Sequence, residues 1–276
     1  MKSVSRKLQE TLRSKRGFIC DMDGVIYHGN NLLSGVHEFL NEIERLGIKF
    51  LFLTNSSGRS PKELQQKLSR MGIEMDESHF YTSALATANF LSSQSPGCSA
   101  YVIGDAGLTN ALYDVGISMN DVNPDYVVVG DTRTYNFEKL EDAIRLVLSG
   151  AKLIGANYDL TGPSESGIIP ATRALVAPIE MATGKIAYYI GKPNPLMMRT
   201  AMAKIQCSPE ETVIVGDRMD TDIIAGIESE IDTILVLSGV TTNESMFEFP
   251  YRPGFVAEDV GHIANIMRDI DKLDYT

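Results

Sequence analysis

The chain has 276 residues, with 25 Lys plus Arg against 36 Asp plus Glu and a formal net charge of −11. With 43% hydrophobic and 22% charged residues it is an ordinary globular composition, long enough for two modest domains, and disorder is excluded. So acidic a chain lacks the basic footprint of a non-specific nucleic-acid binder, and no apolar run reaches the ~18 residues that span a bilayer.

The first 16 residues depart from this balance. Lys2, Arg6, Lys7, Arg13, Lys15 and Arg16 face only Glu10, and no apolar stretch follows as in a secretory leader. This arm reads as a solvated segment or a short helix, with a membrane-surface or partner-binding arm as the alternative. Cys20, Cys98 and Cys207 are odd in number and widely spaced, which argues against a disulfide framework or a zinc knuckle and for a reducing, cytoplasmic setting.

From there, short apolar runs alternate with helix-period segments. The predicted strands are Gly17–Cys20, Lys49–Leu53, Phe80–Thr82, Ala100–Ile103, Tyr126–Val129, Lys152–Gly155, Tyr188–Ile190, Thr212–Val215 and Thr233–Leu237. Their consecutive apolar positions suit strands of a parallel sheet buried on both faces. Val36, Phe39, Leu40, Ile43 and Leu46 follow helical spacing up to Gly47. Ser60-Pro61 and Ser208-Pro209 read as N-caps with Pro at the first helical position, and Ser208 with Glu211 reads as a capping box. The repeating strand–helix order predicts an α/β fold with a doubly wound parallel sheet. Soft points at Ser92–Ser99 and Thr183–Lys185 bracket a block with strand–helix units of its own, as an inserted domain has. Three strand ends echo one another: V-I-G-D at 102–105, V-V-G-D at 128–131 and V-G-D at 215–217.

Open α/β sheets bind ligands at the carboxyl ends of their strands. Polar residues placed there are Asp21, Asp23 and Gly24 after the first strand, then Thr54 and Asn55 after the second. Lys192 follows the seventh strand, and Asp217 and Asp222 the eighth. Carboxylates gathered so closely call for a cation, and an oxygen-only donor set suits Mg²⁺ better than zinc. An Asp at a strand tip is a competent nucleophile toward phosphorus, and a second carboxylate two residues on can serve as acid and base. A hydroxyl and an ammonium can hold phosphoryl oxygens.

These residues carry a resemblance. Asp21-Met22-Asp23-Gly24-Val25, Thr54-Asn55, Lys192 and Gly216-Asp217 with Asp222 resemble, in order, the four motifs of the haloacid dehalogenase superfamily. Leu53-Thr54-Asn55, Tyr81–Ala84, Gly191–Pro193, Gly216–Ile223 and Leu235–Val240 look like its NagD branch. The resemblance implies a Rossmann-like core with an inserted α/β cap, placed here at residues 1–97 plus 187–276 and at 98–186. It implies Mg²⁺-dependent hydrolysis of small phosphate monoesters such as nucleoside monophosphates or sugar phosphates. Asp21 would be the nucleophile and Asp23 the general acid/base, with Thr54, Asn55 and Lys192 at the phosphoryl group. Asp21, the Asp23 carbonyl and Asp217 would bind the metal, supported by Asp222. The segment Asn157–Pro170 resembles the family's specificity loop. Rival readings are a phosphoglycolate or pyridoxal-phosphate phosphatase, a phosphotransferase, or a phosphometabolite-binding protein without turnover. Oligomeric state is left open, a homo-oligomer included.

Other residues read more plainly. Asp105 and Asp131 read as helix N-caps, and Arg173 as a helix-surface charge. Asn157 and Asp159 fit substrate contact and ordinary loop turns equally. His28, His37, His79 and His262 show no metal-ligand spacing, and neither a G-x-x-x-x-G-K-[ST] nor a G-x-G-x-x-G loop is present.

Overall fold

The computed structural model describes residues 2–164 and 167–270. Among them is a six-stranded parallel sheet in the order Phe255–Ala257, Asp232–Val236, Thr212–Gly216, Gly17–Cys20, Lys49–Thr54, Phe80–Thr82. A second parallel sheet runs Tyr188–Tyr189, Lys152–Gly155, Tyr126–Val129, Ser99–Ile103, Ser118–Met119. The expected α/β architecture with a parallel sheet and an inserted strand–helix block is present. The chain divides into two compact units. One runs through Leu53, takes in Leu68–Met75 and resumes at Met198; the other is Thr54–Lys67 with Asp76–Met197.

In the first unit, Gly17–Cys20 pairs on both edges, with Thr212–Gly216 and Lys49–Thr54, and all four of its residues are buried, so both of its faces are covered. That is why it carries apolar side chains on successive positions. Phe18, Phe39, Phe50 and Phe52 pack in sequence, with ring centroids 5.9, 6.2 and 4.7 Å apart. The helix Val36–Arg45 buries Val36, Phe39 and Ile43 and packs against the helix Val260–Arg268. The basic arm is helical over Lys2–Arg13 and docks through buried Leu8 and Leu12. Its charges are used locally. Lys15 is buried, with Nζ donating to the Glu210 carbonyl and lying 2.6 Å from Asp232 Oδ2, and Arg16 pairs with Glu211 at 3.1 Å.

In the second unit, Ile103, Val127, Val129 and Leu153 of the sheet pack with Leu146 and Val147 of the helix Phe137–Leu148. Val176 and Ile179 of the helix Thr172–Thr183 join the same core.

Three local expectations change. Ser208-Pro209 does not start a helix. Only Pro209, Glu210 and Glu211 precede the apolar strand at Thr212, so the capping pair (Ser208 N–H to Glu211 Oε2, 3.1 Å) closes a single turn. The full capping box is at Ser60: Glu63 N–H donates to Ser60 Oγ at 3.3 Å and Ser60 N–H to Glu63 Oε2 at 2.7 Å, heading the helix Pro61–Arg70. Asp131 caps no helix, since the next helix is capped by Asn136.

Candidate active site

The first unit gathers three of the predicted carboxylates. Asp21 follows the central strand and Asp217 follows its neighbour Thr212–Gly216. Asp222 is carried back toward them by the π-helical turn Met219–Ile223. Asp21, Asp217 and Asp222 are all buried, and each offers a carboxylate oxygen within 4.8 Å of the others. Each is anchored by the backbone. Asp21 N–H donates to Val215 O at 2.9 Å, Val240 N–H to Asp217 Oδ2 at 2.7 Å, and Arg218 N–H to Asp222 Oδ2 at 3.1 Å. Gly24, at φ +82°, turns the chain beside them, and a Cβ there would sit 2.5 Å from Asp217 Oδ2. The intervening Asp220 is held by Arg218 through two bonds of 3.1 and 2.8 Å.

Asp23 stands outside this cluster. Its side chain is half-exposed, with Oδ1 at 3.9 Å from His28 Nδ1. A carboxylate that trades protons with substrate and water needs that access; a structural carboxylate does not. Three like charges in so small a buried volume repel strongly unless a cation lies among them. An all-oxygen donor set of this kind fits a hard divalent ion.

The second unit holds the other predicted groups. Thr54, Asn55 and Lys192 are all buried. Thr54 Oγ1 accepts from Ser56 N–H at 3.1 Å, so its own O–H remains a donor. Asn55 clasps the Lys192 backbone from both sides: its Oδ1 accepts Lys192 N–H at 2.7 Å and its Nδ2 donates to Lys192 O at 3.0 Å. Asn55 Nδ2 also donates to Asp159 Oδ1 at 3.2 Å. Asn157, fully buried, donates to Asn55 O at 2.8 Å, and its Oδ1 accepts Asp159 N–H at 3.2 Å. The predicted pair Asn157 and Asp159 thus grips the segment after Thr54.

Asp131, expected to cap a helix, lies in the same unit and instead accepts hydrogen bonds from distant residues. Its carboxylate accepts from Ser57 N–H and Ser57 Oγ, both at 3.1 Å, from Thr172 Oγ1 at 2.9 Å and from Asn157 Nδ2 at 3.2 Å. The repeated V-V-G-D at the strand end was the available signal. Its partners lie 74, 41 and 26 residues away, beyond any local pattern. Arg173 lies over the Tyr158 ring, 4.2 Å from its centroid, rather than standing as a plain surface charge. Of the expected specificity loop, residues 165 and 166 lie outside the described residues.

Comparison with known proteins follows the same line. A haloacid dehalogenase-like hydrolase family matches residues 18–118, and a second, HAD-hydrolase-like family matches 189–263. A dihydroxyacetone phosphatase of Corynebacterium glutamicum (strain R) is 43% identical over 91% of this chain and 92% of that protein. This chain belongs to the haloacid dehalogenase superfamily. It is a phosphatase of the NagD-like branch. Ribonucleotide monophosphatase NagD of Escherichia coli (strain K12) is 42% identical over 90% of this chain and 98% of that protein. A crystal structure of 4-nitrophenylphosphatase from Thermotoga maritima superposes with a TM-score of 0.89 at 32% identity, covering 92% of this chain and 98% of that one. As a member of this branch the chain is a phosphoric monoester hydrolase acting on small phosphate esters. The buried Asp21, Asp217 and Asp222 stand as the family's metal site requires. Among the described residues no helix is long and apolar enough to cross a membrane.

Proposed function

We propose that this phosphatase hydrolyses nucleoside monophosphates or small sugar phosphates with Mg²⁺ through an aspartyl-phosphate intermediate. The observation that carries the reading is the buried triad Asp21, Asp217 and Asp222, with ligand atoms within 4.8 Å of one another. Burying three carboxylates without a cation would cost several kcal/mol, so the cluster is built for one. The catalytic core is assigned to residues 1–97 and 187–276 and the cap to 98–186.

Each residue then has a definite task. An Asp21 carboxylate oxygen attacks phosphorus, and the P–O bond to the alcohol breaks. Asp23 gives its proton to the leaving alkoxide. Water then attacks the aspartyl phosphate, Asp23 takes a proton from it, and inorganic phosphate leaves with Asp21 restored. The family's motif order assigns the phosphoryl oxygens to the Thr54 hydroxyl and the Lys192 ammonium, with Asn55 holding the Lys192 backbone. Mg²⁺ bound at the triad supplies positive charge against the repulsion between carboxylate and phosphate.

The names of the relatives support both substrate classes: one is a dihydroxyacetone phosphatase, another a ribonucleotide monophosphatase. The test is phosphate release from nucleoside monophosphates, sugar phosphates including dihydroxyacetone phosphate, phosphoglycolate and pyridoxal phosphate. Each is run with Mg²⁺, with chelator, and with Asp21→Asn. Mg²⁺-dependent release that disappears in Asp21→Asn is expected. Release that persists in Asp21→Asn removes the nucleophile assignment. A folded wild type inert on every ester leaves a binding protein.

A further inference from the structure

We propose that Asp131 is a positioning residue for phosphate binding, acting through Ser57 and Asn157 on the segment after Thr54 and on Lys192. This rests on the assignment of Thr54 and Lys192 to the phosphoryl group. All the residues concerned belong to one compact unit.

The geometry is that of a built clamp. Ser57 is fully buried and reciprocally bonded to Asp131: Asp131 N–H donates to Ser57 Oγ at 2.8 Å, and Ser57 N–H and Oγ both donate to Asp131 Oδ2 at 3.1 Å. Thr172 and Asn157, each buried, donate to the same carboxylate. Asn157 passes the connection to Asn55 O at 2.8 Å, and the Asn55 amide fixes both backbone groups of Lys192. Two glycines make room for it. A Cβ on Gly130 would lie 2.7 Å from Ser57 Oγ, and a Cβ on Gly191 would lie 2.7 Å from Asn55 Oδ1. The chain Asp131–Asn157–Asn55–Lys192 therefore joins one strand-end carboxylate to both phosphate-binding segments.

A carboxylate offers this set two charged acceptors: Oδ2 takes Ser57 and, at 3.2 Å, Asn157, while Oδ1 takes Thr172 and, at 3.3 Å, Asn157. Ser57 N–H and the Asn157 amide nitrogen are donors that cannot accept. An Asn at 131 keeps one neutral acceptor: with its NH₂ at the Oδ2 position a donor faces Ser57 N–H, and with its NH₂ at the Oδ1 position the Thr172 bond must reverse and every charge-assisted bond weakens. The segment from Thr54 to Ser57 would then relax, and with it the Lys192 backbone. Groups that touch the phosphoryl oxygens in ground and transition state alike bind both less well when displaced. Such a loss raises KM and leaves kcat nearly unchanged.

The experiment compares wild type, Asp131→Asn, Ser57→Ala, the double variant and Lys192→Ala with p-nitrophenyl phosphate in Mg²⁺. The inhibition constant of inorganic phosphate and the melting temperature are measured alongside. Asp131→Asn should raise KM and the phosphate inhibition constant together by about tenfold or more, with kcat within about threefold. Ser57→Ala should act in the same direction, and the double variant should be little worse than the stronger single one, because both cut the same link. A lower melting temperature with an unchanged phosphate inhibition constant would show a structural role only and overturn the proposal, provided Lys192→Ala does weaken phosphate. Should Lys192→Ala leave phosphate affinity untouched, the phosphoryl-binding assignment itself falls. If Asp131→Asn does not fold, Ser57→Ala decides by the same readings.

Discussion

Replacing Asn55 with Asp tests the grip on Lys192 more sharply than deleting it. The Asn55 Nδ2 donates to Lys192 O at 3.0 Å and to Asp159 Oδ1 at 3.2 Å, and the residue is only 8% exposed. In Asn55→Asp an oxygen replaces that donor, and two carboxylates meet. At an effective dielectric of about 20, unit charges that close repel by roughly 5 kcal/mol, and the two lost donor bonds add about 1 kcal/mol each. Partial exposure of Asp159 reduces the first figure, so a deficit of about 3–5 kcal/mol against wild type is expected at pH 8. The pair escapes by binding a proton, so its folded-state pKa lies above the unfolded value. The stability is then fully present below the ordinary carboxylate range and is lost as pH rises through the raised value. The deficit should shrink to about 2 kcal/mol at pH 5, whereas Asn55→Ala should cost about 2–3 kcal/mol at both values. Urea unfolding of the three proteins at pH 5 and pH 8 reads this directly. A deficit in Asn55→Asp that is flat with pH, or no larger than that of Asn55→Ala at pH 8, refutes the reasoning.

Other outcomes follow from other parts of the chain. Asp217→Asn should raise the Mg²⁺ concentration for half-maximal activity by about 10- to 100-fold, read from metal titration of phosphate release, because it removes charge from the triad Asp21, Asp217 and Asp222. Asp232→Ala should destabilise more than Lys15→Met in denaturant unfolding, since Lys15 is 4% exposed at its side chain and Asp232 43%. The first leaves a buried ammonium short of a partner; the second leaves a carboxylate that water can reach. Ser60 holds the Glu63 carboxyl below its usual range by backbone and side-chain hydrogen bonds. That capping contribution is present above the ordinary carboxylate pKa and lost as pH falls through the lowered one, so first-turn amides of Pro61–Arg70 should exchange faster below about pH 4. Burial pushes the Cys98 thiol up, with the Asp125 charge adding to it, and burial likewise raises Cys207. Both should react with iodoacetamide at pH 7.5 about tenfold more slowly than a free thiol, and at the free rate in denaturant.

The strands with continuous apolar runs were legible from the chain alone. Gly17–Cys20 and Tyr126–Val129 stand where the sequence places them, because a strand covered on both faces must be apolar at every position. Two of the four edge strands in the parallel sheets were not legible. Ser118–Met119 and Phe255–Ala257 are two and three residues long, too short to show a period, and form by pairing with a neighbour already in place. The strand-tip carboxylates were legible because an order of residue types along the chain survives folding unchanged. Which of them meet came only from the family resemblance, not from spacing along the chain. Asp21, Asp217 and Asp222 converge while Asp23 stands half-exposed outside them, and that depends on the pairing of distant strands and on the turn at Met219–Ile223.

Asp131 marks the boundary most clearly. Local sequence offers a strand-end Asp a single familiar task, capping the next helix. The buried donors of Ser57, Asn157 and Thr172 reach it only after the chain has closed on itself, and once buried they must be satisfied by whatever acceptor lies there. The sequence by itself determined most of the elements, the α/β class and the order of polar residue types at the strand ends, since these follow from residue type and short-range period. The tertiary structure alone decided which polar groups are buried together, because that cost and its compensation exist only between residues far apart in the chain.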